Sequence, residues 1–330
     1  MENYQSYRLT LTCKSPFITP LQSDTLFGHI CWALLHLLSK NDLEKFLAAY
    51  ETEPPLLISE GFPKGMLPKP VWKPIPKQEA IEIFKTRNLD TFSGATYFKS
   101  IRRISLIPYR LFDQLKETLS SRNIFSALLD YLVESNANQK NEQEILSTTY
   151  HNTINRLTGT VIEGLYTVEE TFRGEDFQFE VYLRSKSLSK SELQSILQYI
   201  SLSGFGKDKS TGRGHFEFDE QDLVEFNIED ADNANGFVTL SSYVPDSEAP
   251  LNGHYDLLIK YPKLAGDFET AFDNVSSPFK HPVAMMRSGA VFHSYERNRP
   301  YGALVAGVHK QNNSIMQYGL AFPVGVQIEE

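Results

Sequence analysis

The chain has 330 residues, 41% of them hydrophobic and 22% charged, with a net charge of −9. That length holds two domains or one domain with large insertions, and the composition excludes a disordered, collagen-like or disulfide-dense chain. The acidic balance would exclude a nucleic-acid binder too, except that eight acidic residues and no basic one fall between Glu217 and Asp232, so one stretch holds all but one of the excess negative charges. The deficit is local and leaves room for a cationic groove elsewhere. The acidic run itself reads as a solvated linker or, second, as a surface for a basic partner. Cys13 and Cys31 fit neither a disulfide framework nor a metal-site spacing and read as core residues in a reducing compartment. No basic segment precedes an apolar core at the N-terminus, and the apolar run Ile30 to Leu38 is far shorter than a membrane span, so the expected location is cytoplasmic.

In chain order, residues 7–13 alternate Tyr7, Leu9, Leu11 and Cys13 with Arg8, Thr10 and Thr12, which predicts a half-buried strand. A loop follows, and Ser23 or Asp24 is placed to cap a helix running to about Lys40, with Leu26, Phe27, Ile30, Ala33, Leu34 and Leu37 as its apolar face. A helix N-terminus attracts phosphate through its unpaired N–H groups, so Ser23, Asp24 and Thr25 are candidate backbone contacts, with capping the plainer role. His29 and His36 read as surface or satisfied histidines. Seven prolines between Pro54 and Pro76 predict an ordered insertion or a polyproline-like arm. Its Lys64, Lys69, Lys73 and Lys77, with Trp72, are either solvated or available to RNA or a partner protein. Helices are expected over 79–88 and 113–134, with a basic strand over 100–108 between them.

Residues 134–149 are polar and read as a flexible connection. Two strand-like runs then form a finger over 150–173, rich in small and polar residues from His151 to Thr160, and a strand follows over 177–183. A finger with so little apolar content rests on a partner or ligand. From about residue 236 short strands broken by glycine predict a second, smaller, mostly β domain, so the expected division is 1–232 and 233–330. Arg287, Arg297, Arg299 and Lys310 make the middle of that second part cationic.

The most informative stretch is Ser203 to Phe218, SGFGKDKSTGRGHFEF. Gly204, Gly206, Gly212 and Gly214 bracket Lys207, Lys209, Arg213 and the hydroxyls of Ser210 and Thr211. Glycine lacks a Cβ and reaches positive φ cheaply, so such a backbone can press N–H groups against an anion while the cations add charge. A helical pattern (Leu193, Ile196, Leu197, Ile200) precedes the loop and a strand-like alternation (His215 to Phe218) follows it. A nucleotide P-loop needs a lysine directly before Ser or Thr and a helix afterwards. A dinucleotide fingerprint needs its glycines to open a helix after a strand. Neither order is present. The loop reads either as a solvated helix-to-strand turn or as the holder of a phosphodiester backbone.

A strand, SDTLFGHICWALL, a proline-broken LPKP, NRLTGT…GLYTVEETF, GFGKDKSTGRGHF and a C-terminal RSGAVF…RPYGALVAGV…QYGLAFPV together resemble the RAMP superfamily of CRISPR proteins. Among them, the subunit of type III-A (Csm) effector complexes that grips the crRNA 5′ handle is most similar, and the resemblance covers essentially the whole chain. It implies an α+β fold: tandem ferredoxin-like (RRM-type, βαββαβ) domains, the second degenerate, with a β-hairpin thumb and a glycine-rich loop. It implies a non-catalytic scaffold without cofactor or metal. Its partners would be crRNA, the large polymerase-like/cyclase subunit, the backbone RAMP and, indirectly, target RNA, with no membrane. Carried onto this sequence, RNA-binding residues are Gly206, Lys207, Lys209, Ser210, Thr211, Gly212 and Arg213 of the loop and Ser23, Asp24, Thr25 and Gly28 of the first helix. His151, Asn152, Asn155, Arg156 and Thr158 of the finger would join them, with Arg287, Arg297 and Arg299. The stacking aromatics of an ordinary RRM are not evident, which puts sheet-face base reading in doubt.

The alternative is a metal-independent RAMP endoribonuclease that cuts the crRNA precursor. It needs a general base near the glycine-rich loop and a cation for developing charge. His29, His151 and His215 are placed for that role, but no grouping in the sequence commits them to it. A metal-dependent hydrolase lacks support, since the acidic run has neither an EF-hand pattern nor a His–carboxylate spacing for zinc.

Overall fold

The computed structural model describes residues 4–135, 145–172, 174, 176–264, 279–297, 299–310, 312 and 314–329. Part of the expected flexible connection, 136–144, lies outside the described residues, as does residue 173 at the end of the finger. β1 (Gln5–Cys13) buries Tyr7, Leu9, Leu11 and Cys13 on one face, as the alternation predicts. α1 (Ser23–Leu37) and α2 (Lys40–Ala48) follow. Gln22, with no side-chain bond, occupies the N-cap of α1, so neither Ser23 nor Asp24 caps it. β2 (Leu56–Ile58) and β3 (Phe62–Pro63) both pair with a later central strand, and β4 (Met66–Pro68) comes next. The proline-rich segment is therefore not an arm: Leu56, Leu57 and Ile58 are core residues, with Pro54 and Pro55 leading into an edge strand where proline is tolerated.

A helical stretch then covers one end of the fold: α3 (Lys77–Thr86), α4 (Thr91–Arg103), β5 (Leu106–Pro108, paired with β4), α5 (Tyr109–Lys116) and α6 (Ser121–Ser135). Of the basic strand expected over 100–108, the basic entry through Arg103 is helix and only Leu106–Pro108 is strand. Asp90 caps α4 by accepting from Phe92 and Ser93 N–H, and that helix runs through Arg103. β6 (Ile145–Ile154) and β7 (Val161–Phe172) form an antiparallel hairpin paired to no other named strand; it is the predicted finger, but it starts five residues early, so 145–149 are strand rather than flexible connection.

β8 (Gln178–Ser185), α7 (Lys190–Ser203), β9 (Phe216–Glu217) and β10 (Leu223–Glu225) complete the N-terminal sheet. Its strands run β10-β1-β8-β2, each antiparallel to its neighbour, with β9 also on β1 and β3 on β8. α1 leads from β1 to β2 and α7 from β8 to β9, and the two helices pack together. The acidic run is thus no solvated linker: Phe218, Leu223, Ile228 and Ala231 alternate with its carboxylates and are buried.

The C-terminal part holds β11 (Gly236–Thr239), β12 (Gly253–His254), β13 (Leu257–Lys260), β14 (Val283–Met286), β15 (Val291–Phe292), β16 (Gly302–Val305), β17 (Gln317–Leu320) and β18 (Pro323–Val326). One antiparallel sheet runs β12-β15-β11-β18, and β13–β14 and β16–β17 form separate pairs. Its Val238, Leu240, Tyr318, Leu320 and Val324 belong to the same hydrophobic cluster as β1, α1 and β8. Polar bonds cross the same seam. Tyr318 Oη accepts from Ile58 N–H at 3.0 Å, and buried Arg184 donates to the Pro323 carbonyl at 2.7 Å. No helix among the described residues is long and apolar enough to cross a membrane.

Candidate nucleic-acid interface

α7 starts in a capping box between Ser189 and Glu192 and ends at Gly204, so the glycine-rich loop leaves a well-anchored helix. Two glycines are required by close approach as well as by positive φ. A Cβ at Gly206 would stand 2.5 Å from Thr19 Cβ, and one at Gly214 would stand 1.9 Å from the Phe205 carbonyl oxygen. The loop is seated on the β1–α1 connection. Lys207 N–H donates to Thr19 Oγ1 at 2.9 Å, Gly214 N–H to the Pro16 carbonyl at 2.9 Å, and His215 N–H to Ser15 Oγ at 2.8 Å. Gly206 N–H donates to His29 Nε2 at 3.0 Å. Phe205 N–H donates to Gly214 O, while Thr211 and Arg213 N–H both turn to Asp208 O.

This corrects one expectation about mechanism. The N–H groups of Phe205, Gly206, Lys207, Thr211, Arg213, Gly214 and His215 are spent on holding the loop's shape, so they form no anion cradle. What the loop offers an anion is side chains: Lys207, Ser210 and Thr211 are exposed and Lys209 is half-buried. Among the described residues no carboxylate pairs with Lys207 or Lys209. Arg213 differs. Its guanidinium forks onto the carboxylate of Glu170 in β7, whose side chain is buried. Phe17 and Thr171 exchange backbone bonds at 3.1 and 3.0 Å. Arg213 therefore ties the loop to the root of the hairpin.

His29 is the residue beneath the loop whose importance the sequence hides. Its ring lies 4.8 Å from that of Phe205. Burial first, and the Lys209 charge second, push its pKa down to about 4. It is neutral at pH 7, with Nε2 as acceptor and the proton on Nδ1. The helical pattern of α1 gives no hint of this, because the partner is a backbone N–H far along the chain.

The other candidates scatter. Ser23 and Asp24 are buried, and the Asp24 carboxylate accepts from Lys260 Nζ and Gln317 Nε2, joining the two halves of the molecule. Thr25 Oγ1 accepts from the same ammonium at 3.3 Å, and Gly28 sits on α1 with open space beside it. On the hairpin, Asn152, Arg156 and Thr158 are exposed. Asn155 Oδ1 instead accepts from Leu157 N–H at 2.9 Å and Thr158 N–H at 3.4 Å, shaping the tip. Leu157 at the apex is 97% exposed. His151 stacks on Tyr166 across the hairpin, with ring centroids 5.5 Å apart and planes within 23°. Tyr166 and Leu157 were not among the sequence candidates.

The C-terminal arginines do not make a cationic surface together. Arg297 meets Asp230 at 3.2 Å, and Arg299 lies among Asp246, Glu248 and Glu296 over the Tyr301 ring. Their partners include the acidic run and the β11–β12 connection, which the count of basic residues alone does not reveal. Arg287 is exposed at the end of β14.

Neither the scan against protein-family models nor the search of curated proteins returns a match. Solved structures do match. A chain of a Csm1–Csm4 cassette crystallised with pppApA superposes with a TM-score of 0.58 at 19% identity, covering 99% of each chain. The cassette crystallised with AMPPNP gives 0.56 at 19% identity, again covering 99% of each chain. A chain of a Csm3–Csm4 subcomplex of the type III-A CRISPR-Cas interference complex gives 0.56 at 15% identity, covering 98% of this chain and 99% of that one. The chain has the fold of these CRISPR subunits.

Proposed function

We propose that this chain is a Csm4-type RAMP subunit of a type III-A CRISPR effector complex. It is a non-catalytic scaffold that holds the crRNA 5′ handle and joins the large cyclase/polymerase-like subunit to the backbone RAMP. One observation carries the reading: the full-length likeness extends to a chain in a Csm1–Csm4 assembly and to one in a Csm3–Csm4 assembly, and Csm4 is the component those assemblies share. The strand order β10-β1-β8-β2, with α1 and α7 as crossovers, supports a ferredoxin-like first domain over 1–232. The all-antiparallel sheet after residue 233 supports its degenerate second copy.

In this reading Lys207 and Lys209 neutralise successive phosphates of the handle, and Ser210 and Thr211 donate to phosphate oxygens. The β6–β7 hairpin is the thumb: Leu157 and the His151–Tyr166 stack offer it apolar and aromatic surface for unstacked bases near the handle–guide boundary, and through them indirect contact with target RNA. Arg213 positions the thumb against the loop. The endoribonuclease reading is less well supported. The lone pair of His29 is occupied by Gly206 N–H, His215 Nε2 lies 3.3 Å from the Lys209 carbonyl, and His151 is on the separate hairpin.

The test is fluorescence anisotropy with a repeat-derived handle RNA across a salt series. Lys207→Ala/Lys209→Ala should weaken binding and lower the log K against log salt slope by about 1.4, roughly 0.7 per phosphate on a single strand. An unchanged slope rejects the loop's role. Handle RNA incubated with the chain should stay intact; cleavage lost in His151→Ala or His215→Ala would replace the scaffold with the nuclease.

A further inference from the structure

A cavity of about 330 Å³ opens where the β1–α1 connection, the β2–β3 turn and the C-terminal half meet. Phe17, Phe62, Phe179 and Leu258 line its apolar side. Glu60 stands at its polar side, with the Ser242 hydroxyl donating to Oε1 at 2.5 Å and the Ser288 hydroxyl to Oε2 at 2.6 Å. Each carboxylate oxygen accepts twice, so one position on each remains after the serines are counted. Among the described residues no other group donates to this carboxylate. Burial pushes its pKa up, against the two serine bonds. A half-buried carboxylate with acceptor capacity to spare gains when further donors arrive. The two serines come from the C-terminal half and fix the plane of the carboxylate, so the acceptor pair is held in place before any ligand binds. Arg287, on the solvent side, lines the same cavity.

We propose that this cavity binds a guanine base, its N1–H and N2–H donors meeting the two remaining acceptor positions of Glu60 and its attached phosphate meeting Arg287. Guanine is the one common base with two adjacent N–H donors on its Watson–Crick edge. Adenine, cytosine and uracil each set an acceptor beside their donor, and that acceptor would face a carboxylate oxygen. The volume is at the small end of ligand sites, enough for one nucleoside rather than a dinucleotide. The aromatic walls supply the flat apolar contact a base needs.

The position also links the cavity to the glycine-rich loop. Phe17 has its ring 6.0 Å from Phe179 in the cavity wall and 6.1 Å from Phe205 in the loop. The same connection presents Ser15, Pro16 and Thr19 to the loop and Phe17, Pro20 and Leu21 to the cavity. A base delivered by a strand lying on Lys207 and Lys209 would rest on the RNA-binding reading; a base delivered as free nucleotide would not.

Calorimetry on the full chain with GMP, IMP and AMP tests the chemistry, and anisotropy with U-rich octamers carrying one G or one A tests the strand as source. GMP should bind about tenfold or more tighter than AMP, and IMP, which lacks the N2 amino group, should lose most of that advantage. Glu60→Gln should erase the preference while the thermal midpoint stays close to wild type. Arg287→Ala should weaken GMP but not guanosine. A G-octamer preference that Glu60→Gln removes identifies the strand as source; a preference confined to GMP identifies free nucleotide. Equal affinity of wild type for GMP, IMP and AMP, which depends on no variant folding, overturns the proposal, as does a preference that survives Glu60→Gln. The two readings fail separately: Lys207→Ala/Lys209→Ala reports on strand affinity and salt slope whatever the base, and Glu60→Gln reports on base choice alone.

Discussion

Acid should loosen this protein through His29 in a way that can be isolated. An unfolded histidine titrates near 6.5, whereas burial and then Lys209 hold native His29 to about 4. Between those values the unfolded chain carries a proton that the native state refuses, so stability falls as pH is lowered through the window and is flat on either side. The full difference is about 3 kcal/mol, at 1.36 kcal/mol per unit, and about 2 kcal/mol of it is lost by pH 5. Protonation also turns Nε2 from acceptor to donor, facing the Gly206 N–H that now points at it from 3.0 Å. Many carboxylates titrate nearby, so the useful quantity is a difference. Urea unfolding of wild type and His29→Gln, whose amide oxygen can take the same N–H, should be compared from pH 4.5 to 8. The wild-type advantage should shrink by about 2 kcal/mol between pH 7 and pH 5. An advantage that stays constant, or grows as pH falls, would refute the neutral, buried histidine under the loop.

Alanine at Gly214 should cost at least about 4 kcal/mol, because its Cβ meets the Phe205 carbonyl oxygen, whereas Gly212→Ala, with open space but φ of +87°, should cost about 1–2 kcal/mol; thermal melts compare them. Arg213→Met strands the buried Glu170 carboxylate and should destabilise by about 3 kcal/mol, and Arg213→Met/Glu170→Met should recover most of that in the same denaturant assay. Asp24→Asn removes the charge facing Lys260 between the two halves and should lower stability by about 2–3 kcal/mol, read as a lower unfolding midpoint.

Local pattern reveals elements whose partner is the solvent or the adjacent turn. The alternation of residues 7–13 and the helical spacing of Leu193, Ile196, Leu197 and Ile200 reappear as β1 and α7 because each has one wet and one dry face. Leu56–Ile58 fails that test: all three residues are buried, the strand is too short to show a period, and prolines flank it. The acidic run misleads for the opposite reason, since its carboxylates outnumber the few apolar residues that decide its placement. The glycines were legible as a tight loop, but not the use of its N–H groups, which depends on Ser15, Thr19 and His29, nearly 200 positions earlier. Glu60 gave no signal at all, because Ser242 and Ser288 reach it only once the chain has closed on itself.

Charge placement shows why the sign of the whole chain is a poor guide to its partner. Asp230 takes Arg297, the Tyr295 hydroxyl and the Gly325 N–H; Asp246 takes Arg299 and the Gly302 N–H; Asp24 takes Lys260. These acids neutralise cations that would otherwise make the C-terminal half a diffuse attractor for any polyanion. Lys207, Lys209 and Arg287 are left without such partners among the described residues, the first two on the loop and the third at the guanine cavity. Field strength falls within about 10 Å at 0.1 M salt, so an anion feels these few unpaired charges and not the net excess of acid. Adding one carboxylate at the loop, as Ser210→Asp does, should therefore abolish strand binding, whereas Glu217→Gln, a change of the same one unit and opposite sign in the acidic run, should leave binding nearly unchanged.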